Sequence, residues 1–241
     1  MLPGDSWFQA LFWSACTIAL YQLSQRLHRH RSGWWTSPLM IAPLLLILVA
    51  LVFHVTYRQY IAGTHWLIAL FAPATVAFAI PVYEQRSLIR RHWPLLAVGA
   101  LAGSVTAVAS SWALANLLGL NDSLRLSLLP RSISTPFALV VSGEIGGAPP
   151  LTAMFVLITG ILGAILGEGL LQYLPLRSTL ARGALFGMGA HAFGTAKAHQ
   201  INSEVGAIAG LVMILVGLLN VLAAPLLARG LLGSLSSVLH G

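Results

Sequence analysis

The stretch Leu129-Pro130-Arg131-Ser132-Ile133-Ser134-Thr135-Pro136, followed by Glu144-Ile145-Gly146, decides how this chain is read. Pro130 and Pro136 each interrupt a helical ladder, because proline has no N–H and its ring clashes with the preceding turn. The pattern returns at an offset of 60: Thr195 stands where Thr135 stood, and Glu204-Val205-Gly206 repeats Glu144-Ile145-Gly146. Before Thr195 lies Gly187-Met188-Gly189-Ala190-His191-Ala192-Phe193-Gly194, whose glycines weaken a helix in the same place. A long apolar helix follows each copy, Leu151 to Leu174 and Ala207 to Leu227. Two broken helices therefore occupy equivalent positions in repeats 125–174 and 183–229.

Thr135 has the chemistry of an N-cap with Pro136 at the first helical position, and Thr195 is placed to cap a helix beginning Ala196-Lys197-Ala198. A helix that starts inside a membrane presents unpaired backbone N–H groups and a positive dipole end, which suits an anionic ligand. Arg131 and Lys197, one near each expected cap, add formal positive charge.

The rest of the chain says that the surrounding solvent is lipid. Lys and Arg number 13 and Asp and Glu 6 in 241 residues, so 8% are charged, against roughly 25% in a soluble domain. Apolar residues make up 57%, and mean hydropathy is +0.84. An enzyme with an aqueous surface is excluded. The net charge of +7 is clustered between apolar runs, so it reads as topology signal and contact with anionic lipid heads, with no nucleic-acid partner. Cys16 is alone, which excludes an intrachain disulfide.

A span needs about 20 apolar residues. Trp7 to Leu23, Pro38 to Phe53, His65 to Val82 and Trp93 to Leu118 supply four, and the two long helices of the repeat bring the total to about six. Arg26 to Arg31 follows the first span and Arg86 to Arg91 the third, so the positive-inside rule places the N-terminus outside. The first basic cluster follows its apolar run, unlike a signal peptide. Were the segment around Thr135 a full span, Arg177 and Arg182 would fall outside. Two re-entrant hairpins repair this, one from about Arg125 to Gly147 entering from outside and one from about Gly183 to Ser203 entering from the cytoplasm. The expected fold is an all-α polytopic membrane protein with an inverted repeat.

Composition divides the chain further. All seven Trp lie at or before Trp112, while most of the 23 Gly lie from Gly143 onward. The expectation is a Trp-anchored scaffold and oligomerisation half, 1–118, and a Gly-rich transport half, 119–241, with Gly160, Gly163, Gly167, Gly206 and Gly210 giving close helix contacts. Glu144, Glu204 and His191 are candidates for a coupling proton or for structural pairing, since an intramembrane charge costs ~2.5–3.5 kcal/mol unless compensated. Glu168, near a span's end, reads as a residue reaching the interface. His28 and His30 read as solvated, and no His-Glu-x-x-His motif is present, so neither a metal, a cofactor nor an enzymatic activity is expected.

These motifs, with Ala72-Pro73-Ala74-Thr75, Pro81-Val82-Tyr83-Glu84-Gln85-Arg86 and Leu151-Thr152-Ala153, resemble the LrgB/CidB family of bacterial membrane proteins over nearly the whole chain. Glu168 lies outside the family pattern. The resemblance implies one of two functions. One is antiholin-like modulation of murein hydrolase activity and lysis with a small LrgA/CidA-type membrane partner. The other is transport of small monocarboxylates such as pyruvate, glycolate, glycerate or lactate across the bacterial inner membrane, as in the plastid glycolate/glycerate translocator. The polar, broken segments at membrane depth favour transport, with Arg131, Ser132, Ser134, Thr135, His191, Gly194, Thr195 and Lys197 around the anion and a homodimer as the expected assembly.

Overall fold

The computed structural model describes residues 6–30 and 38–239, so Trp34, Trp35 and Arg31 lie outside the described residues. The described chain is helical, with no strand. It forms two compact units, Met1–Ala74 and Thr75–Gly241. The boundary falls well before Leu118, so the helix that ends near that residue packs with the second unit and not with a separate first half.

In the first unit, α1 (Ser6–His30) packs on α2 (Pro38–Val52) and on α3 (Tyr57–Ala69). Trp13 is 1% exposed. Its ring meets Phe12, Tyr60 and Phe53 edge-on at centroid distances of 5.3, 5.6 and 6.4 Å, the arrangement that the aromatic quadrupole prefers. Trp13 is thus the centre of this unit and not a lipid-interface anchor. Trp7 and Trp93 are exposed, as an anchor would be. Trp66, also exposed, donates its ring N–H to Ser14 at 2.8 Å.

The expected third span, His65 to Val82, is not one helix. α3 is followed by the short α4 (Phe71–Ala77) and α5 (Ala79–Glu84). Pro73 and Pro81 each stand in the first turn of a new helix, where their missing N–H is tolerated. The ladder tightens to three-residue bonds at the two junctions, Leu70 N to Leu67 O and Phe78 N to Thr75 O, both 3.2 Å.

The second unit continues with α6 (Arg86–Leu117), kinked at His92 two residues before Pro94. It then runs through α7 (Asp122–Leu128), a 3-10 turn (Leu129–Ser132), α8 (Thr135–Glu144), α9 (Pro149–Tyr173), α10 (Thr179–Ile201) and α11 (Ser203–Leu239). Three helices among the described residues are long and apolar enough to cross a bilayer: Arg86–Leu117, Pro149–Tyr173 and Ser203–Arg229. The last is the core of the unit. Its Ile208, Val212, Met213, Ile214 and Val216 are buried with Leu129, Ile133, Phe137, Val141 and Ile145.

α9 shows how an almost wholly apolar helix still has two faces. Met154, Ile158, Leu162 and Leu166 recur at four-residue spacing and are exposed. Gly160, Gly163 and Gly167 lie inward, where a Cβ would collide with His191 and Phe193, with Gly189 and Ala190, and with Phe186, all of α10. Size sorts the faces, small residues to a neighbouring helix and large ones to lipid.

Candidate functional site

The first hairpin is built by polar pins at its base. Asn121 caps α7, its side-chain oxygen accepting from Leu124 N at 2.9 Å. Thr152 Oγ1 of α9 lies 3.0 Å from the Ser127 carbonyl oxygen and 2.7 Å from Ser142 Oγ, and Ala148 N donates to Ser127 Oγ at 2.8 Å. Ser127 is in the last turn of α7 and Ser142 is near the end of α8, so the chain between them leaves this point and returns. Gly146, at φ +81, makes the turn into α9 and takes a backbone conformation that disfavours a side chain. The reversal at the far end is at Ile133 and Ser134, both extended. Ser134, not Thr135, is the N-cap of α8, one residue before the expected position, and Pro136 falls in the first turn. The Ser134 hydroxyl makes no capping bond.

The second hairpin is concealed within α10. Gly194 approaches the carbonyl of Phe186, eight residues earlier, so closely that a Cβ would overlap it. Eight residues of straight helix would separate the two by roughly 12 Å, so the chain has doubled back into arms 179–190 and 192–201. The reversal is at His191, with φ 40 and ψ −118. The break falls within the expected stretch Gly187–Gly194, but the second arm begins at Ala192, so Thr195 is not its cap. Thr195 lies inside the second arm and donates its hydroxyl to His191 O, four residues earlier, at 2.9 Å. The glycines flank the break, but an imidazole-bearing residue makes it.

A non-glycine residue in this region of φ/ψ costs of order 1–3 kcal/mol. His191→Gly should therefore be more stable than His191→Ala by about 1–2 kcal/mol, although glycine is the poorer residue within a helix. Thermal unfolding of the two purified variants reads the difference directly, and an alanine variant equal to or above the glycine variant would show that the backbone at His191 is unstrained.

The two reversals meet. The His191 ring, 1% exposed, lies against the main-chain carbonyl of Arg131 and within reach of its charge. Met188, just before the second reversal, lines a cavity with Pro130, Ser132, Ile133, Ser104 and Asn220. Its volume of about 10 Å³ is the space of one water molecule. Arg131 donates from Nε to Ser111 Oγ at 2.9 Å, and Ser111 in turn donates to Ala107 O at 2.7 Å. Asn220 donates to Ser104 Oγ and to Val216 O, both at 2.8 Å. Among the described residues, the buried side-chain polar atoms without a hydrogen-bond partner are Ser134 Oγ and His191 Nε2, one from each reversal. Leaving such an atom unsatisfied costs about 1–3 kcal/mol.

The residues expected at one site therefore separate into groups. Arg131, Ser132, Ser134 and His191 gather at the meeting of the two reversals, with Thr135 opening α8 beside them. Gly194 and Thr195 hold the second reversal in shape. Lys197 is elsewhere and already occupied, with its Nζ 2.8 Å from Glu168 Oε1. Glu144 is exposed at the end of α8. Glu204 sits in the first turn of α11, where its N–H donates to Asn202 at 2.7 Å and its carboxylate accepts from Thr179 at 3.2 Å. Neither glutamate pairs with Arg131 or Lys197. Sequence reasoning missed Ser104, Ser111 and Asn220, and it placed Glu168 at the interface without its partner Lys197. Glu168 had a signal: Lys197 is the one lysine of the chain, and at membrane depth it needs a carboxylate. No group of three or more His, Cys, Asp or Glu suited to a metal occurs among the described residues.

Long apolar helices, a lipid-type exposed surface and helices broken in the interior define an integral membrane protein. Comparison with known proteins agrees. A profile described as the LrgB-like family matches residues 17–229. Among relatives, YwbG of Bacillus subtilis (strain 168) is 36% identical over 211 residues, covering 88% of this chain and 94% of its own. The holin-like protein CidB of Staphylococcus aureus (strain N315) is 31% identical over 223 residues, covering 92% and 97%. No solved structure matches. The chain belongs to the LrgB-like family.

Proposed function

We propose that this protein carries small monocarboxylates such as pyruvate, glycolate, glycerate or lactate across the bacterial inner membrane by alternating access. The anion site is where the two reversals meet. Arg131 supplies charge, Ser132, Ser134 and Thr135 line one side, and His191 forms the other, its arm held in place by Gly194 and Thr195. The observation that carries this reading is the pair of unpartnered polar atoms, Ser134 Oγ and His191 Nε2, one at each of the two breaks, with Arg131 near the His191 ring. A carboxylate has two oxygens to accept from the Ser134 hydroxyl and the guanidinium, His191 Nε2 is free to take up a proton and then donate, and a helix start in low dielectric favours negative charge. Repeats 125–174 and 183–229 of opposite orientation, entered from opposite sides of the membrane, would let the site face either way. The N-terminus is outside, and the first compact unit, Met1–Ala74, serves as scaffold and dimer interface.

A second reading, an antiholin-like modulator of murein hydrolase activity acting with a small LrgA/CidA-type partner, is favoured by the likeness to CidB, a holin-like protein. Purified protein in liposomes separates the two. Transport predicts saturable uptake of labelled monocarboxylate, inhibited by unlabelled congeners, from vesicles that retain a trapped dye. Dye leakage without saturable uptake, alone or with the small partner, would support the second reading and overturn the first.

A further inference from the structure

We propose that Glu168 is a resident carboxylate that holds Lys197 closed, and that a substrate carboxylate must take its place there to pass between the site and the C-terminal end of α9. The inference rests on the transport reading and adds a gate to it.

The pair joins α9 to the second arm of α10, with Nζ to Oε1 at 2.8 Å. Its position relative to the site can be obtained along either helix. Lys197 is six residues from His191, roughly 9 Å of rise, and Glu168 is eight residues from Gly160, roughly 12 Å. Gly160 faces the His191 ring. Both routes therefore place the pair between one and a half and two and a half turns from the reversal, on the same side of it. Lys197 is too far away to touch an anion bound at the reversal, and under this proposal it stands on the way out.

Its partner is the right kind of group for an exchange. An ammonium group binds a carboxylate through its donors regardless of what the carboxylate is attached to, so a monocarboxylate in transit competes with Glu168 on equal chemical terms. The two side chains differ in freedom: that of Lys197 is 17% exposed and that of Glu168 51%. Glu168 can swing outward while Lys197 stays. Substitution of one carboxylate for another also keeps the partly buried ammonium paired throughout, avoiding the cost of a lone intramembrane charge. The helices around the pair are closely fitted, since Gly167, next to Glu168, meets the ring of Phe186. Release of the pair is therefore a step in which α9 and α10 lose a specific tie and not a loosening of the bundle at large.

The test is the concentration dependence of labelled pyruvate or glycolate uptake by reconstituted full-length protein carrying Glu168, Glu168→Asp or Glu168→Gln. The expected result is an apparent KM that falls several-fold in Glu168→Gln, because the competitor is gone, with a lower maximal rate because the carboxylate then leaves Lys197 slowly. Glu168→Asp should lie between the two, and it keeps the test informative if the glutamine variant does not fold. An unshifted KM across folded variants, with maximal rate lowered or not, would overturn the gate and leave Glu168 structural. A wild type without saturable uptake overturns the transport reading instead, so the two failures are distinct.

Discussion

Replacing Arg131 by Gln is expected to reduce monocarboxylate uptake by roughly 100-fold or more. The guanidinium is fixed from one side, Nε donating to Ser111 Oγ at 2.9 Å. The two terminal nitrogens make no side-chain hydrogen bond among the described residues, and they form the fork that fits a carboxylate bidentately. Losing two charge-assisted hydrogen bonds of about 1.5–3 kcal/mol each gives that factor, since each 1.4 kcal/mol is tenfold. Stability should change little. Ser111 keeps its bond to Ala107 O, and glutamine can still donate. Arg131→Lys keeps the charge but not the fork and should retain an intermediate rate. Initial uptake rates in proteoliposomes, normalised to folded protein, check all three, and wild-type rates in Arg131→Gln would remove this residue from the site.

The second large effect is on the fold. Gly194→Ala is expected to destabilise the protein by about 3 kcal/mol or more. The added methyl has no place to go because it would sit on the Phe186 carbonyl and against Ala190 Cβ, backbone and a short side chain that cannot rotate away. The second arm of α10 would have to lift off the first, carrying His191 with it. Gly189→Ala is the matched control. It stands on the same hairpin, two residues before the reversal, and a Cβ there meets nothing within 4 Å. Thermal unfolding in detergent should show a large fall in the first variant and none in the second. Equal midpoints would mean that α10 runs straight through His191.

Several features of this architecture are legible in the order of residues, and the reason is local. Pro130 and Pro136 act on their own backbone, so the first break could be located to within one residue without any tertiary knowledge. The 60-residue echo likewise points to α10 as a second broken element. Its break is harder to place, because glycines permit a reversal at several positions and only packing selects one. Gly194 against Phe186, Gly163 against Gly189 and Gly160 against the His191 ring together put the reversal at His191.

What depends on distant partners was not legible. Trp13 has the same local setting as an interface tryptophan, and only the convergence of Phe53 and Tyr60, both far along the chain, makes it a core residue. Lys197 has every local attribute of a substrate ligand. It is withdrawn from that role by Glu168, which lies on α9 and precedes it by 29 residues. Ser104, Ser111 and Asn220 are unremarkable in apolar helices until the first reversal is laid across them.

The claim that the two reversals form one anion site is tested most directly by a double-mutant cycle. The apparent affinity for a monocarboxylate would be measured in wild type, Ser134→Ala, His191→Ala and the double variant. If both side chains hold the same carboxylate, the account predicts non-additive losses, with a coupling of about 1 kcal/mol or more. Losses that add to within about 0.3–0.5 kcal/mol would mean that the two breaks act independently, contradicting a shared site.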